Sequence, residues 1–324
     1  MSESFTVGTR GSALATTQTG WAAQKLAALS GLEANTVLVR TEGDVITGSL
    51  ATLGGTGVFA AALRQHLLAA GCDLAVHSLK DLPTVQPEGL RLAAIPARED
   101  VRDALCARDG LTLDQLPQGA KIGTGSPRRA AQLLNHRPDL EIVDIRGNVP
   151  TRLGRVKGMG ATLDDGSVGR SVQGDLDAVI LAAAGLHRLG MEKHITEYLD
   201  PAVMLPAPGQ GALAVEVRSI GSGHPALDAA LVSFDDAPTR LQVSAERALL
   251  NALEAGCAAP IGALAHFVGE ELVLDAVACK PDGTQVMRQS ARLLVTAEAD
   301  AIELGRSLAR TMLDNGAAAV AGLV

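Results

Sequence analysis

Aromatic residues are scarce: one Trp, one Tyr and four Phe make up 2% of the 324 residues. Leu, Val, Ile and Ala must therefore fill the cores, and stacking of nucleic-acid bases on aromatic side chains is argued against. The four cysteines, Cys72, Cys106, Cys257 and Cys279, lie far apart with no C-x-x-C pair. That spacing indicates neither a zinc site nor a redox motif and reads as free thiols in a reducing compartment. No run of about 18 apolar residues is free of charge, so no membrane span is expected. Met1-Ser2-Glu3-Ser4-Phe5 has neither a basic n-region nor an apolar h-region, so a secretory signal is not expected and a cytoplasmic location is.

What is present is an ordinary globular composition, 47% hydrophobic and 20% charged, in a chain long enough for two to three domains. The net charge of −8 is unevenly spread. Between Lys121 and Lys157 stand eight basic residues (Lys121, Arg128, Arg129, Arg137, Arg146, Arg152, Arg155, Lys157) and three acids (Asp139, Glu141, Asp144). This stretch is +5 and the remainder −13, which suggests either a focused anion site or a solvated charged face, and no broad nucleic-acid surface.

The first hundred residues alternate strand and helix signals. Phe5–Arg10, Asn35–Arg40 and Cys72–His77 read as strands; Ser12 to about Leu29 and Val58 to Ala70 read as helices. A similar order follows from Lys121: strands at Lys121–Thr124, Glu141–Ile145 and Asp177–Leu181, and a helix from Pro127 to Asn135. Two echoes stand out. Val7-Gly8-Thr9 followed by Ser12 resembles Ile122-Gly123-Thr124 followed by Ser126, and Asp73–Val76 resembles Asp175–Val179. These patterns imply two α/β domains of related design, mostly parallel, with a cleft between them. Gly158 to Gly174 reads as a surface loop. Helical spacing from Thr239 to Leu253, strands near Ala263–Val268 and Leu272–Cys279, and a helix from Ala297 to about Asn315 suggest a small C-terminal α+β domain. The expected boundaries are 1–99 with 212–234, then 103–208, then 237–324.

Ser126 and Pro127 suit the cap and first turn of a helix, which places Arg128 and Arg129 at the positive end of its dipole. That costs a few tenths to about 1 kcal/mol each, and an anion at the helix start would remove the conflict. Arg10, Arg146 and Lys80 each follow a strand, and Arg152 follows Arg146 closely; in parallel α/β sheets ligands bind beyond the carboxyl ends of strands. Guanidinium groups pair bidentately with carboxylate or phosphate. Asp81 is the one acid among these strand-end cations. It could stabilise a developing cation, or it could be an ion-pair partner of Lys80 or an arginine. Cys257 lies between Gly256 and Pro260 in a loop after a helix, and its residues alone read as bland.

The ordered set of segments resembles the porphobilinogen deaminase (hydroxymethylbilane synthase) family. The matching stretches are Thr9-Arg10-Gly11-Ser12-Ala13-Leu14-Ala15, Thr41-Glu42-Gly43-Asp44, Ala75–Pro83, Arg98–Asp103, Arg146–Arg152, Leu181–Gly190, Pro208–Ala212 and Glu246 to Gly262. The resemblance covers nearly the whole chain in order. It implies two domains like periplasmic binding proteins plus a small third domain, and a transferase of tetrapyrrole (haem, porphyrin) biosynthesis. It implies that four porphobilinogen molecules are condensed on a dipyrromethane primer and released as hydroxymethylbilane. By resemblance Cys257 carries that cofactor through a thioether, with Lys80, Ser12, Arg128, Arg129 and Asp44 binding it. Arg10, Arg146, Arg152 and Arg188 would bind substrate carboxylates, and Asp81 would be the catalytic aspartate. The expected partner is the small-molecule substrate, with no metal, no nucleic acid and no membrane; the family expectation is a monomer. The chain departs from the family in the lysine-free Ala51–Phe59 loop, in Gly125-Ser126-Pro127, in Ala255 and in a longer 158–174 stretch. A non-catalytic anion-binding protein of the same fold is the competing reading, which the third domain disfavours.

Overall fold

The computed structural model describes residues 3–39, 58–159, 174–255 and 259–323. Asp44, Cys257, the 51–57 part of the glycine loop and residues 160–173 lie outside the described residues. The first domain opens with β1 (Ser4–Thr9) and α1 (Ala13–Ser30), followed by β2 (Glu33–Leu38), α2 (Val58–Leu68), β3 (Leu74–Ser78) and β4 (Leu90–Ala94). Ser12 caps α1, its Oγ accepting from the Ala15 amide at 3.3 Å, and Gly31 ends the helix in the left-handed region at φ 73°.

The second domain holds β5 (Asp103–Ala107), β6 (Lys121–Gly123), α3 (Pro127–His136), β7 (Glu141–Val143), α4 (Val149–Leu153), β8 (Ala178–Ala182), α5 (Ala183–Arg188) and β9 (Glu197–Tyr198). The chain then returns to the first domain as β10 (Leu213–Arg218) and α6 (Pro225–Phe234). The small third domain packs α7 (Ala237–Ala252), α8 (Glu298–Asp314) and α9 (Ala317–Ala321) on an antiparallel sheet of β11 (Ile261–Val268), β12 (Glu271–Cys279) and β13 (Val286–Leu294).

The two larger sheets have orders β2-β1-β3-β10-β4 and β7-β6-β8-β5-β9. Superposing these orders matches β1 with β6 and β3 with β8, the strands that carry the two sequence echoes. The expectation of mostly parallel sheets needs correction. In each sheet two pairings are parallel and two antiparallel. The reason lies in the crossovers. β10 enters at the edge where β3 ends, Leu213 opposite Ser78, and so runs against it. β5 enters opposite the end of β8, Asp103 facing Ala182, with the same consequence. Both crossover strands are almost wholly buried, so they lack the polar–apolar alternation that marks a half-exposed strand. Among the described residues no helix is long and apolar enough to cross a membrane.

Candidate functional site

The ends of β1, β3, β6, β7 and β8 meet the starts of β5 and β10 along one edge shared by both domains, and the candidate residues stand there. Arg10 and Ser12 follow β1. A short 3-10 turn, Leu79–Asp81, follows β3 and aims Lys80 and Asp81 beyond the sheet. Arg10, Ser12 and Asp81 line a cavity of about 90 Å³ together with Gln18, His77 and Ser78. Asp81 is exposed at its rim. Behind the cavity wall the buried Glu216 of β10 takes bonds from Arg64 at 2.9–3.1 Å and from Gln86 at 2.5 Å, with His77 at 3.3 Å.

The second domain supplies the opposing cations. Arg128 and Arg129, in the first turn of α3, are both buried. Arg128 reaches Asp103 at 2.8 Å and the Leu205 carbonyl at 2.6 Å. Arg129 donates to Asp103 at 2.7 and 3.0 Å and to the Ile180 carbonyl at 3.0 Å. The counter-charge to the two arginines at this α3 start is thus an internal one, Asp103. Asp81 is not the one acid among the strand-end cations: Asp103, at the head of β5, is a second, wholly buried. Lys80 reaches across from the first domain and donates to Gln210 Oε1 at 3.2 Å, while Gln210 Nε2 donates to Asp103 at 2.9 Å.

The electrostatics separate these cations from the rest. Pairing with Asp100, Asp139 and Asp175 pushes the pKa of Arg102, Arg137 and Arg155 up. Burial pushes Arg128, Arg152 and Arg188 down. Arg129 and Arg146 depress Arg152 further, with Asp81 and Asp144 acting in the opposite sense. Burial, then the Arg129 guanidinium, brings the Lys80 ammonium from 10.5 to about 8. Burial would raise Asp103, but Arg128 and Arg129 outweigh it and hold the carboxyl well below the usual carboxylate range. Lys80, Arg128 and Arg152 are thus partly or wholly desolvated and crowded by neighbouring guanidinium groups, an arrangement that an incoming anion relieves.

Arg152 donates to the Gly147 carbonyl at 2.8 Å, and Arg146 lies 3.9 Å from Asp144. Arg188 sits at the hinge, donating to the Gly211 carbonyl at 2.6 Å. The structure brings Arg10, Ser12, Lys80 and Asp81 together with Arg128, Arg129, Arg146 and Arg152, and sets Arg188 at the edge of the group. Asp103 and Gln210 were not singled out as site residues by sequence reasoning. The available signal for Asp103 was a lone acid heading the apolar run Ala104-Leu105-Cys106-Ala107.

Cys72, Cys106 and Cys279 are free and buried, and burial pushes their thiols up to about 11, 12 and 11. The described residue beyond Cys257 that begins β11 is Ile261, and two positions on the Ala263 amide donates to the Pro206 carbonyl at 2.9 Å. That segment adjoins Leu205, whose carbonyl Arg128 holds. Among the described residues no group of His, Cys, Asp and Glu could hold a metal.

Residues 5–223 match the family model described as "Porphobilinogen deaminase, dipyromethane cofactor binding domain", and 240–314 match "Porphobilinogen deaminase, C-terminal domain". Among curated relatives, porphobilinogen deaminase of Micrococcus luteus is 58% identical over 88% of this chain and 80% of its own length. That of Cutibacterium acnes is 54% identical over 98% of this chain and 96% of its own. A solved periplasmic substrate-binding protein from Coxiella burnetii is similar over 72% of this chain and 93% of its own, at 15% identity and a TM-score of 0.43. With two family models covering most of its length and relatives this similar, the chain belongs to the porphobilinogen deaminase family.

Proposed function

We propose that this protein is a porphobilinogen deaminase acting in tetrapyrrole biosynthesis: a transferase, specifically a hydroxymethylbilane synthase, that condenses four porphobilinogen molecules and releases the linear product by hydrolysis. The observation that carries the reading is the convergence of buried and half-buried cations from two domains on one cleft, with Arg128, Arg129 and Arg146 acting on Lys80 and Arg152. Porphobilinogen bears an acetate and a propionate, and a lengthening chain of such rings is a string of carboxylates. A lone anion would need far fewer guanidinium groups.

The donor set fits the dipyrromethane cofactor of the family. Two rings carry four carboxylates, and Ser12, Lys80, Arg128, Arg129 and Asp44 would hold them and the ring N–H groups, with Cys257 as the covalent anchor. The high thiol pKa values of the other three cysteines favour attachment at Cys257, and the placement of Pro206 and Leu205 between β11 and Arg128 supports an anchor at this cleft. When bound, the cofactor supplies the primer on which the product chain is extended.

The chain's own residues do the rest. Arg10, Arg146, Arg152 and Arg188 clamp the carboxylates of the incoming ring and fix its orientation. The Asp81 carboxylate faces the pyrrole N–H, balances the positive charge left on the substrate when ammonia departs, and takes up the proton released as the new bond forms. Ser12 Oγ, already accepting from Ala15, still has its hydroxyl proton to donate to an anion. The domain bounds 1–99 with 212–234, 103–208 and 237–324, a cytoplasmic location and a monomeric state belong to the same reading. The test is the mass of purified protein produced in a host that makes porphobilinogen. The expected result is a dipyrromethane increment on the Cys257 peptide and consumption of porphobilinogen by the loaded protein. An unmodified Cys257 would overturn the mechanism.

A further inference from the structure

We infer that Gln210 is a positioning residue of this cleft: its side-chain amide ties Lys80 of the first domain to the Asp103–Arg128–Arg129 cluster of the second. The inference rests on the functional reading above for its consequence, and on hydrogen bonding for its substance. Gln210 is fully buried in the crossover from the second domain to the first. Its Oε1 accepts from Lys80 Nζ at 3.2 Å. Its Nε2 donates to Asp103 Oδ1 and to the Val101 carbonyl, both at 2.9 Å. Its own carbonyl accepts from Arg98 Nε at 2.7 Å.

The chemistry of the amide explains the residue type. One end must accept from an ammonium and the other must donate to a carboxylate, and a neutral amide does both. A glutamate here would set a second carboxylate against Asp103, and a lysine or arginine would repel Lys80. The amide orientation is fixed for the same reason, since turning it over would face N–H groups toward the ammonium and oxygen toward the carboxylate. The contact also spans the hinge. Val101 lies in the outgoing crossover and Gln210 in the returning one, and the two segments are paired directly by the Glu99 amide donating to the Gly211 carbonyl at 3.3 Å. Gln210 therefore holds Lys80 at a set distance from the guanidinium pair when the two domains are in this arrangement.

Among the described residues, the charged groups acting on Lys80 include Asp81 from its own turn, Arg128 and Arg129 from α3, and Asp103 from β5. Replacing Gln210 changes this set in opposite senses. Gln210→Leu removes one acceptor from the ammonium and adds apolar surface, which disfavours the charged amine. Gln210→Glu offers it a carboxylate, which favours it. The experiment is an NMR titration of Lys80 in reductively 13C-methylated full-length protein, with the Lys80 signal assigned among the six lysines by its loss in Lys80→Met. Before a cofactor carboxylate is placed beside it, Lys80 is expected to titrate near 8, so parent and variants are compared at matched cofactor loading. The midpoint is expected to fall by about one pH unit in Gln210→Leu and to rise by at least as much in Gln210→Glu. Where the leucine variant does not fold, Gln210→Asn replaces it: the amide is kept but is one methylene too short to span both partners, and the midpoint again falls. A residue that merely fills the hinge would leave the Lys80 midpoint in place in every folded variant, and that result would overturn the inference. The titration needs no substrate, so absence of porphobilinogen turnover in the parent protein would sink the functional reading alone. With turnover present, kcat in Gln210→Leu is expected to fall at least about tenfold, from displacement of a bound charged group, while KM changes little.

Discussion

At the scale of single residues, the cleft rests on unequal treatment of chemically similar groups. Three thiols are buried and held protonated, Arg102, Arg137 and Arg155 each have an aspartate of their own, while Arg128 and Arg129 in the cleft share the single Asp103. Asp81 stands exposed among them, its charge acting on both Lys80 and Arg152. Its role is electrostatic and does not depend on packing, so Asp81→Ala should keep the fold and the covalent cofactor. Turnover should fall by about 100- to 1000-fold, the usual cost of losing a pre-organised charge. Steady-state kinetics on protein whose loading has been verified by mass spectrometry would check this; near-normal kcat would refute the role given to Asp81.

At the scale of elements, Glu216 shows how a helix is fastened to a sheet beside the cavity. It lies on β10, fully buried, and Arg64 of α2 and His77 of β3 converge on it. Burial alone would raise its carboxyl; the neighbouring His77 and Arg64 side chains overcome that and hold it at about 2 against an ordinary 4.5. A carboxylate with a depressed folded-state pKa stabilises above its unfolded value and loses that contribution as pH falls through the folded one. The contribution is therefore present above pH 4.5 and lost progressively toward pH 2, and it amounts to about 3 kcal/mol. Glu216→Gln should lower Tm at neutral pH, and calorimetry from pH 7 to pH 3 should show the gap from the parent protein narrowing. A gap independent of pH would contradict this account.

At the scale of the whole molecule, Asp103 is the junction of the two larger domains, bonded to Arg128, Arg129 and Gln210 at once. Asp103→Asn leaves two buried guanidinium groups without their counter-charge, a loss of about 3–5 kcal/mol. Thermal unfolding should register it, and excess citrate should raise the Tm of the variant more than that of the parent, because binding to the folded state compensates the missing anion. Equal shifts in the two proteins would show that these guanidiniums do not take an external carboxylate.

Local sequence signals determined much of this architecture. Caps and glycines place α1 and α3 within a residue or so of the expected bounds, since Ser12, Ser126 and Gly31 act on their immediate neighbours. The echoes Val7-Gly8-Thr9 and Ile122-Gly123-Thr124 marked equivalent strands, because a strand end that must turn tightly into a helix constrains its own few residues. The ordered motifs were enough to indicate the family. Tertiary structure alone decided the direction of β5 and β10, which depends on the edge at which a crossover enters a sheet. It alone decided that Arg128 and Arg129 share Asp103, some 25 residues away in the chain, and that Lys80 meets Gln210 across 130. A charge pattern read along the chain gives the sign and rough place of an anion site. Which cations are matched internally and which are left for a ligand is settled by contacts between distant segments, and these exist once the two domains are folded against each other.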